Sequence, residues 1–214
     1  GVTLSLERRH RLIELANDHD VIVLEDTPYR HIRFAGETLP TLKSLDTQGR
    51  VIHLGSFSKV LVPGLRIGWA VAAPALLEKM ALLKVAADTQ TSTLNMAAAS
   101  LFLDRHDLSA HIDMLRRAYR RKKEVMLDAI RLHFPQDVTM TDPEGGLFTW
   151  ATFPEGFDAT AFMRDVALPE AHVAYVPGAT FFPVHQQANH ARINYSAQPE
   201  ERIRAGIAAL GRVL

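Results

Sequence analysis

Two kinds of hydrophobic stretch divide the chain. Short, mostly apolar runs at Val21-Ile22-Val23-Leu24 and Val51-Ile52-His53-Leu54, with a third over 67–72, have the length of strands buried on both faces, and each ends in polar or small residues. Ahead of the first run, Ser5 suits the N-cap of a helix whose apolar side is Leu12, Ile13 and Leu15. The segment between the first two runs holds Pro28, Gly36, Pro40 and Gly49, which predicts mostly loop. From Pro74 the apolar spacing becomes helical, over about 75–87, 94–103 and 108–133, the last closed by Pro135. The remainder alternates: a strand over 147–153, a helix over 158–167, strands near 172–176 and 191–195, and a final helix over 199–214. The pattern is that of an α/β chain, with residues 1–90 as part of a mostly parallel sheet domain, 91–106 as a connecting helix, and 107–214 as a smaller α+β domain.

Composition narrows the function classes more than it selects among them. The 214 residues are 47% hydrophobic, enough for a packed core, and Lys+Arg and Asp+Glu both number 24, which gives no net attraction to nucleic acid or to an anionic membrane. Cysteine is absent, so disulfides, thiolate metal sites and cysteine nucleophiles are all excluded. No apolar run reaches the roughly 18 residues of a membrane span, and a cytoplasmic location is the default expectation. The basic run from Arg116 to Lys123 falls inside a helical pattern flanked by Asp113 and Glu124, which reads as a solvated helix face. His106, His111, His185 and His190 lack the spacing of a helical metal pair, and no metal site is expected.

The chemistry concentrates in one ordered set: Asp26 and Tyr29, then Ser56-Phe57-Ser58-Lys59, then Pro63-Gly64-Leu65-Arg66. In open α/β sheets functional groups gather beyond the carboxyl ends of strands, where Asp26 and Ser56 stand. An amine, an acid, two hydroxyls and an arginine are the types that a pyridoxal-phosphate (PLP) site uses: Schiff-base lysine, partner of the pyridine nitrogen, and phosphate donors.

These residues, as Glu25-Asp26-x-Pro28-Tyr29, Gly55-Ser56-Phe57-Ser58-Lys59 and Pro63-Gly64-Leu65-Arg66-Ile67-Gly68-Trp69, resemble the cofactor core of class I/II aminotransferases. The interval from Lys59 to Arg66 is closest to the 2-aminoadipate aminotransferase branch, which includes the aminotransferase-like domains of MocR-type regulators of the GntR family. Glu144-Gly145-Gly146-Leu147-Phe148-Thr149-Trp150 resembles the small-domain strand of that branch, and Val176-Pro177-Gly178-Ala179-x-Phe181-Phe182 its following turn. Arg192-Ile193-Asn194-Tyr195-Ser196 resembles the segment whose arginine holds the substrate α-carboxylate.

The resemblance implies a partial PLP-transferase large domain followed by a small domain. It makes Lys59 the Schiff-base lysine and proton shuttle, Asp26 the partner of the pyridine nitrogen, and Tyr29 a donor to the ring oxygen. Ser56, Ser58 and Arg66 become phosphate ligands, and Arg192 the substrate-carboxylate residue. The implied reaction is amino-group transfer between an α-amino acid and a 2-oxo acid in a cytoplasmic homodimer. The implied alternative is the PLP-binding effector domain of a MocR-type regulator, with nucleic acid as a partner only through a separate amino-terminal DNA-binding domain. The family's glycine-rich phosphate turn, ring-stacking aromatic and Asn-Pro-x-Gly motif have no counterpart here, so the chain is expected to be the carboxy-terminal part of a longer fold.

Overall fold

The computed structural model describes residues 1–214, which divide into two compact units, Thr3–Leu115 and Arg116–Leu214 together with Gly1–Val2. In the first unit, helix α1 (Leu6–Asp18) begins at Ser5, whose hydroxyl accepts the Arg8 N–H at 3.3 Å, and it buries Ile13 and Ala16. Strand β1 (Val23–Asp26) starts two residues later than the apolar run. The physical reason is local: Asp20 is left-handed (φ 55°), and the Val21 N–H still bonds back to Ala16 O at 2.9 Å, closing α1. The loop that follows contains one short helix that the sequence pattern does not predict, α2 (Leu42–Leu45), capped by the Thr41 hydroxyl.

Strand β2 (Val51–Ser56) pairs in parallel with β1, with Asp26 opposite Leu54. Strand β3 (Gly68–Val71) returns antiparallel to β2, with Gly68 opposite Ser56, so the three-stranded sheet is mixed. Ile13, Leu42 and Val51 form the core beneath it. Two buried or partly buried carboxylates fix the turns around that core. Glu25 accepts the N–H groups of Leu42 (2.6 Å) and Lys43 (3.0 Å) and lies 3.1 Å from His53 Nδ1. Burial pushes its pKa up, but these partners outweigh burial and hold it below its ordinary value. Asp46 accepts from Gln48, Arg50 and Val51 N–H and from Lys43 Nζ, and its carboxyl is likewise held well below the usual range against the opposing effect of burial. Helices α3 (Pro74–Asp88) and α4 (Thr93–Arg105) complete the unit, and α5 (Leu108–His133) begins in it; these three match the helical spacing closely.

The second unit is built on a four-stranded antiparallel sheet in the order β4-β5-β7-β6, comprising Thr139–Met140, Phe148–Thr152, His190–Asn194 and Val176–Pro177. One face carries Thr149, Ala151, Ala191, Ile193 and Tyr195, all buried, and the core also takes in Val125, Met126 and Ile130 of α5 and Ile203, Ile207 and Leu210 of α8 (Glu200–Val213). The buried Tyr195 hydroxyl donates to Gly146 O at 2.9 Å. The helix expected over 158–167 is α6 (Ala159–Phe162), capped by Asp158; it runs through a π-helical turn (Met163–Ala167) into α7 (Leu168–Ala171). Pro169, with no N–H to donate, follows the widened turn. The strand expected near 172–176 shrinks to Val176–Pro177, because His172 turns left-handed (φ 55°) and the Val173 N–H bonds back to Ala167 O.

Candidate functional site

Six of the seven expected site residues lie at one end of the first sheet. Asp26 and Ser56 are the last residues of the parallel strands β1 and β2. Leu54 is opposite Asp26, so side-chain alternation puts Asp26, Leu54 and Ser56 on the same face. Asp26 is exposed, while both of its neighbours are fixed. Glu25 reaches His53 Nδ1, and Thr27 donates its hydroxyl to Leu54 O at 3.1 Å with His53 Nε2 3.4 Å away. The backbone that carries Asp26 is therefore held from both sides by one histidine.

Beyond β2 the chain turns sharply. The Ser56 hydroxyl accepts the Ser58 N–H at 3.0 Å and lies 2.9 Å from Ser58 Oγ and 3.3 Å from Ile67 O, either of which can take its proton. Val60, only 2% exposed, anchors the turn, and Lys59 stands half-buried within it, just before Val60. Lys59 Nζ lies 6.0 Å from the centre of the Tyr29 ring and makes no hydrogen bond or ion pair within the chain. Tyr29 sits in the turn after β1, where its carbonyl accepts the N–H of Ile32, itself 1% exposed.

Arg66 ends the 3-10 turn Pro63–Leu65, two residues before Gly68, the partner of Ser56. It adopts a left-handed backbone (φ 52°), a conformation costing a non-glycine residue about 1 kcal/mol, and its side chain is exposed. Asn95, in the first turn of α4, donates to Leu65 O at 3.1 Å and so braces this turn. Nothing in the local pattern around Asn95 signals that role, since its partner is thirty residues away. Gly55 leaves room for the Trp69 ring, which a Cβ there would meet at 2.3 Å, and Trp69 in turn packs on Phe57 at 5.0 Å.

Arg192, the seventh residue, belongs to the second unit. It lies on β7 between Trp150 of β5 and Val176 of β6, on the face opposite the core. Its guanidinium carbon lies 4.2 Å from the Phe148 ring centre and 5.0 Å from that of Phe181. Its Nε is buried without a partner. Behind it, the Trp150 indole donates to His190 Nδ1 at 3.2 Å, which makes Nδ1 the acceptor and leaves Nε2–H to Gln187 Oε1 at 2.8 Å. The aromatic residues around Arg192 were legible as strand and turn residues in the sequence, but their convergence on one guanidinium was not.

Three basic residues of α5 have partners in the second unit. Arg121 pairs with Glu200 at 2.8 Å, Lys122 donates to Ser196 O at 2.8 Å, and Lys123 pairs with Asp142 at 2.6 Å. No helix is long and apolar enough to cross a membrane.

The chain is similar to known proteins along its whole length. The chain is 42% identical over 214 residues to an aromatic-amino-acid aminotransferase of Thermococcus litoralis, covering 100% of this chain and 51% of that protein. It is 38% identical over 217 residues to the 2-aminoadipate transaminase of Thermus thermophilus, covering 100% and 54% respectively. Among solved structures, the kynurenine aminotransferase of Pyrococcus horikoshii superimposes with a TM-score of 0.93 at 38% identity, over 100% of this chain and 52% of that one. Helix-turn-helix transcriptional regulators also align, at the lower identity of 30% for one from Escherichia coli. The chain thus spans about half the length of the curated relatives it matches. The family model for aminotransferase class I and II matches residues 1–210, and the chain belongs to that family.

Proposed function

We propose that this chain carries the lysine-bearing half of a PLP-dependent aminotransferase that moves an amino group between an α-amino acid and a 2-oxo acid. The observation that carries the proposal is the shared face of Asp26 and Ser56 at the ends of two parallel strands, with unpaired Lys59 three residues beyond Ser56. The donor chemistry fits PLP. Lys59 would hold its aldehyde carbon, Asp26 would pair with the pyridine nitrogen, Tyr29 with the ring oxygen, and Ser56, Ser58 and Arg66 would hold the phosphate. The exposed fork of Arg66 and two adjacent hydroxyls suit a dianion. When bound, the cofactor supplies an electron sink for the pair left on the substrate Cα.

The residues of this chain do the rest. Arg192 grips the α-carboxylate bidentately and so fixes which bond at Cα stands in line for cleavage. Lys59 Nζ, set free when the amine of the substrate takes its place on the cofactor and without competing partners in the chain, would take the Cα proton and later give it back. Asp26 would be the hydrogen-bond partner of the ring nitrogen. The relatives' substrates make aromatic amino acids, kynurenine and 2-aminoadipate the first candidates. The functional unit is a cytoplasmic homodimer, as the family resemblance implies. The regulator reading is the weaker one, because identity to aminotransferases is higher.

The test is a half-reaction on the full-length, PLP-loaded protein. With one candidate amino acid and no oxo acid, one equivalent of 2-oxo acid should form per cofactor, and added 2-oxoglutarate should regenerate the starting spectrum. Cofactor binding without any conversion across the three substrate classes would favour the regulator instead.

A further inference from the structure

Arg192 is held by aromatic rings alone. Its Cζ sits 4.2 Å from the centre of Phe148 and 5.0 Å from that of Phe181, and it makes no hydrogen bond or ion pair within the chain. Its Nε is shielded from water with no acceptor. An arginine on a partly buried strand normally spends its N–H groups on a carboxylate or a carbonyl. We propose that Phe148 and Phe181 are positioning residues that orient the Arg192 guanidinium between two ring faces and leave its donors unspent for a substrate carboxylate. This rests on the carboxylate role of Arg192 given above.

The physical case is a comparison of two ways to fix a long, rotamer-rich side chain. A carboxylate brace would orient the fork but would neutralise it and occupy the N–H groups that the substrate needs. A ring face attracts the cation without accepting an in-plane N–H, so orientation costs no donor. The free side chain then has less freedom left to lose when the ligand arrives.

Phe181 is 46% exposed, so burial alone does not account for its seat. It is held edge-on by Trp150, with ring centres 5.6 Å apart and planes at 81°. Trp150 is pinned in turn by the His190 and Gln187 hydrogen bonds. The 3-10 turn that carries Phe181, Gly178–Phe181, lies directly against β7, since a Cβ on Gly178 would meet His190 Cβ at 2.4 Å. The clamp is thus assembled from β5, β7 and one turn of a single unit.

Steady-state kinetics of the full-length, PLP-loaded protein test this with Phe181→Leu, Phe148→Leu, Phe181→Tyr and Arg192→Lys. Each leucine variant should raise KM for both amino acid and oxo acid about 5-fold, with kcat within about 2-fold and the cofactor spectrum unchanged. Phe181→Tyr, which keeps the ring face, should restore the parent KM. Because Phe181 is half exposed, its leucine variant should melt at the parent temperature, which separates positioning from folding. Unchanged KM in both leucine variants, with KM raised in Arg192→Lys, overturns the clamp and spares the carboxylate reading. Unchanged KM in Arg192→Lys overturns that reading and the clamp with it. A lower melting temperature for Phe181→Leu with proportional loss of kcat, not rescued by tyrosine, also overturns the clamp.

Discussion

The unit that carries Lys59 and the unit that carries Arg192 are ordered by different forces. In the Arg192 unit nineteen apolar residues are buried and six large ones are exposed, and among its members Leu210, Tyr195, Ala151 and Ala191 are completely enclosed. In the Lys59 unit ten are buried and seventeen large ones are exposed, among them Leu24, Val71, Leu82, Leu83 and Leu94, and α3 buries none of its residues. There the site is shaped by polar anchors instead: Glu25 and Asp46 gather backbone N–H groups, and Ser56 closes its own turn. In this unit charged acceptors tie the turns around the site. The consequence is that the two units should fail in different ways.

The largest expected effect separates the cores. Leu210→Ala should cost about 3 kcal/mol in urea unfolding, through the cavity left at a completely buried position, whereas Leu83→Ala on exposed α3 should cost less than about 0.5 kcal/mol. Similar losses for the two would mean that α3 is covered in solution. Next comes the polar anchor: Asp46→Ala strands three backbone N–H groups and should destabilise the Lys59 unit by about 2 kcal/mol, with faster hydrogen exchange confined to 41–56.

Acid should act through the same anchors. Glu25 and Asp46 titrate lower in the fold than their ordinary values of 4.5 and 3.8, so the unfolded chain binds more protons in this range. Their contribution is complete at neutral pH and fades as the pH falls below about 4.5, first in the Lys59 unit. Exchange measured at pH 7 and pH 4 should show β1 and β2 losing protection before β5 and β7; the reverse order would contradict the polar-anchor view. The cap contributes less than the anchors: Ser5→Ala should cost about 1 kcal/mol or less, read as fraying of α1 by circular dichroism.

The same contrast explains what could be read from the sequence. Long helices such as α5 follow from apolar spacing over many turns, and the ordered set from Asp26 to Arg66 follows from strand ends rich in functional groups. The direction of β3 was not legible, because a short apolar run carries no sign of parallel or antiparallel pairing. Nor was the truncation of the strand near 172–176, which depends on one left-handed histidine. Asn95 and the rings around Arg192 act across long separations in sequence, where periodicity carries no information.

The most direct measurement of the central claim is chemical. Borohydride reduction of the full-length protein incubated with PLP, followed by peptide mapping, should fix one pyridoxyl group on Lys59, and Lys59→Ala should abolish the label. A label on any other lysine, or an unchanged label in the Lys59→Ala variant, would contradict the account.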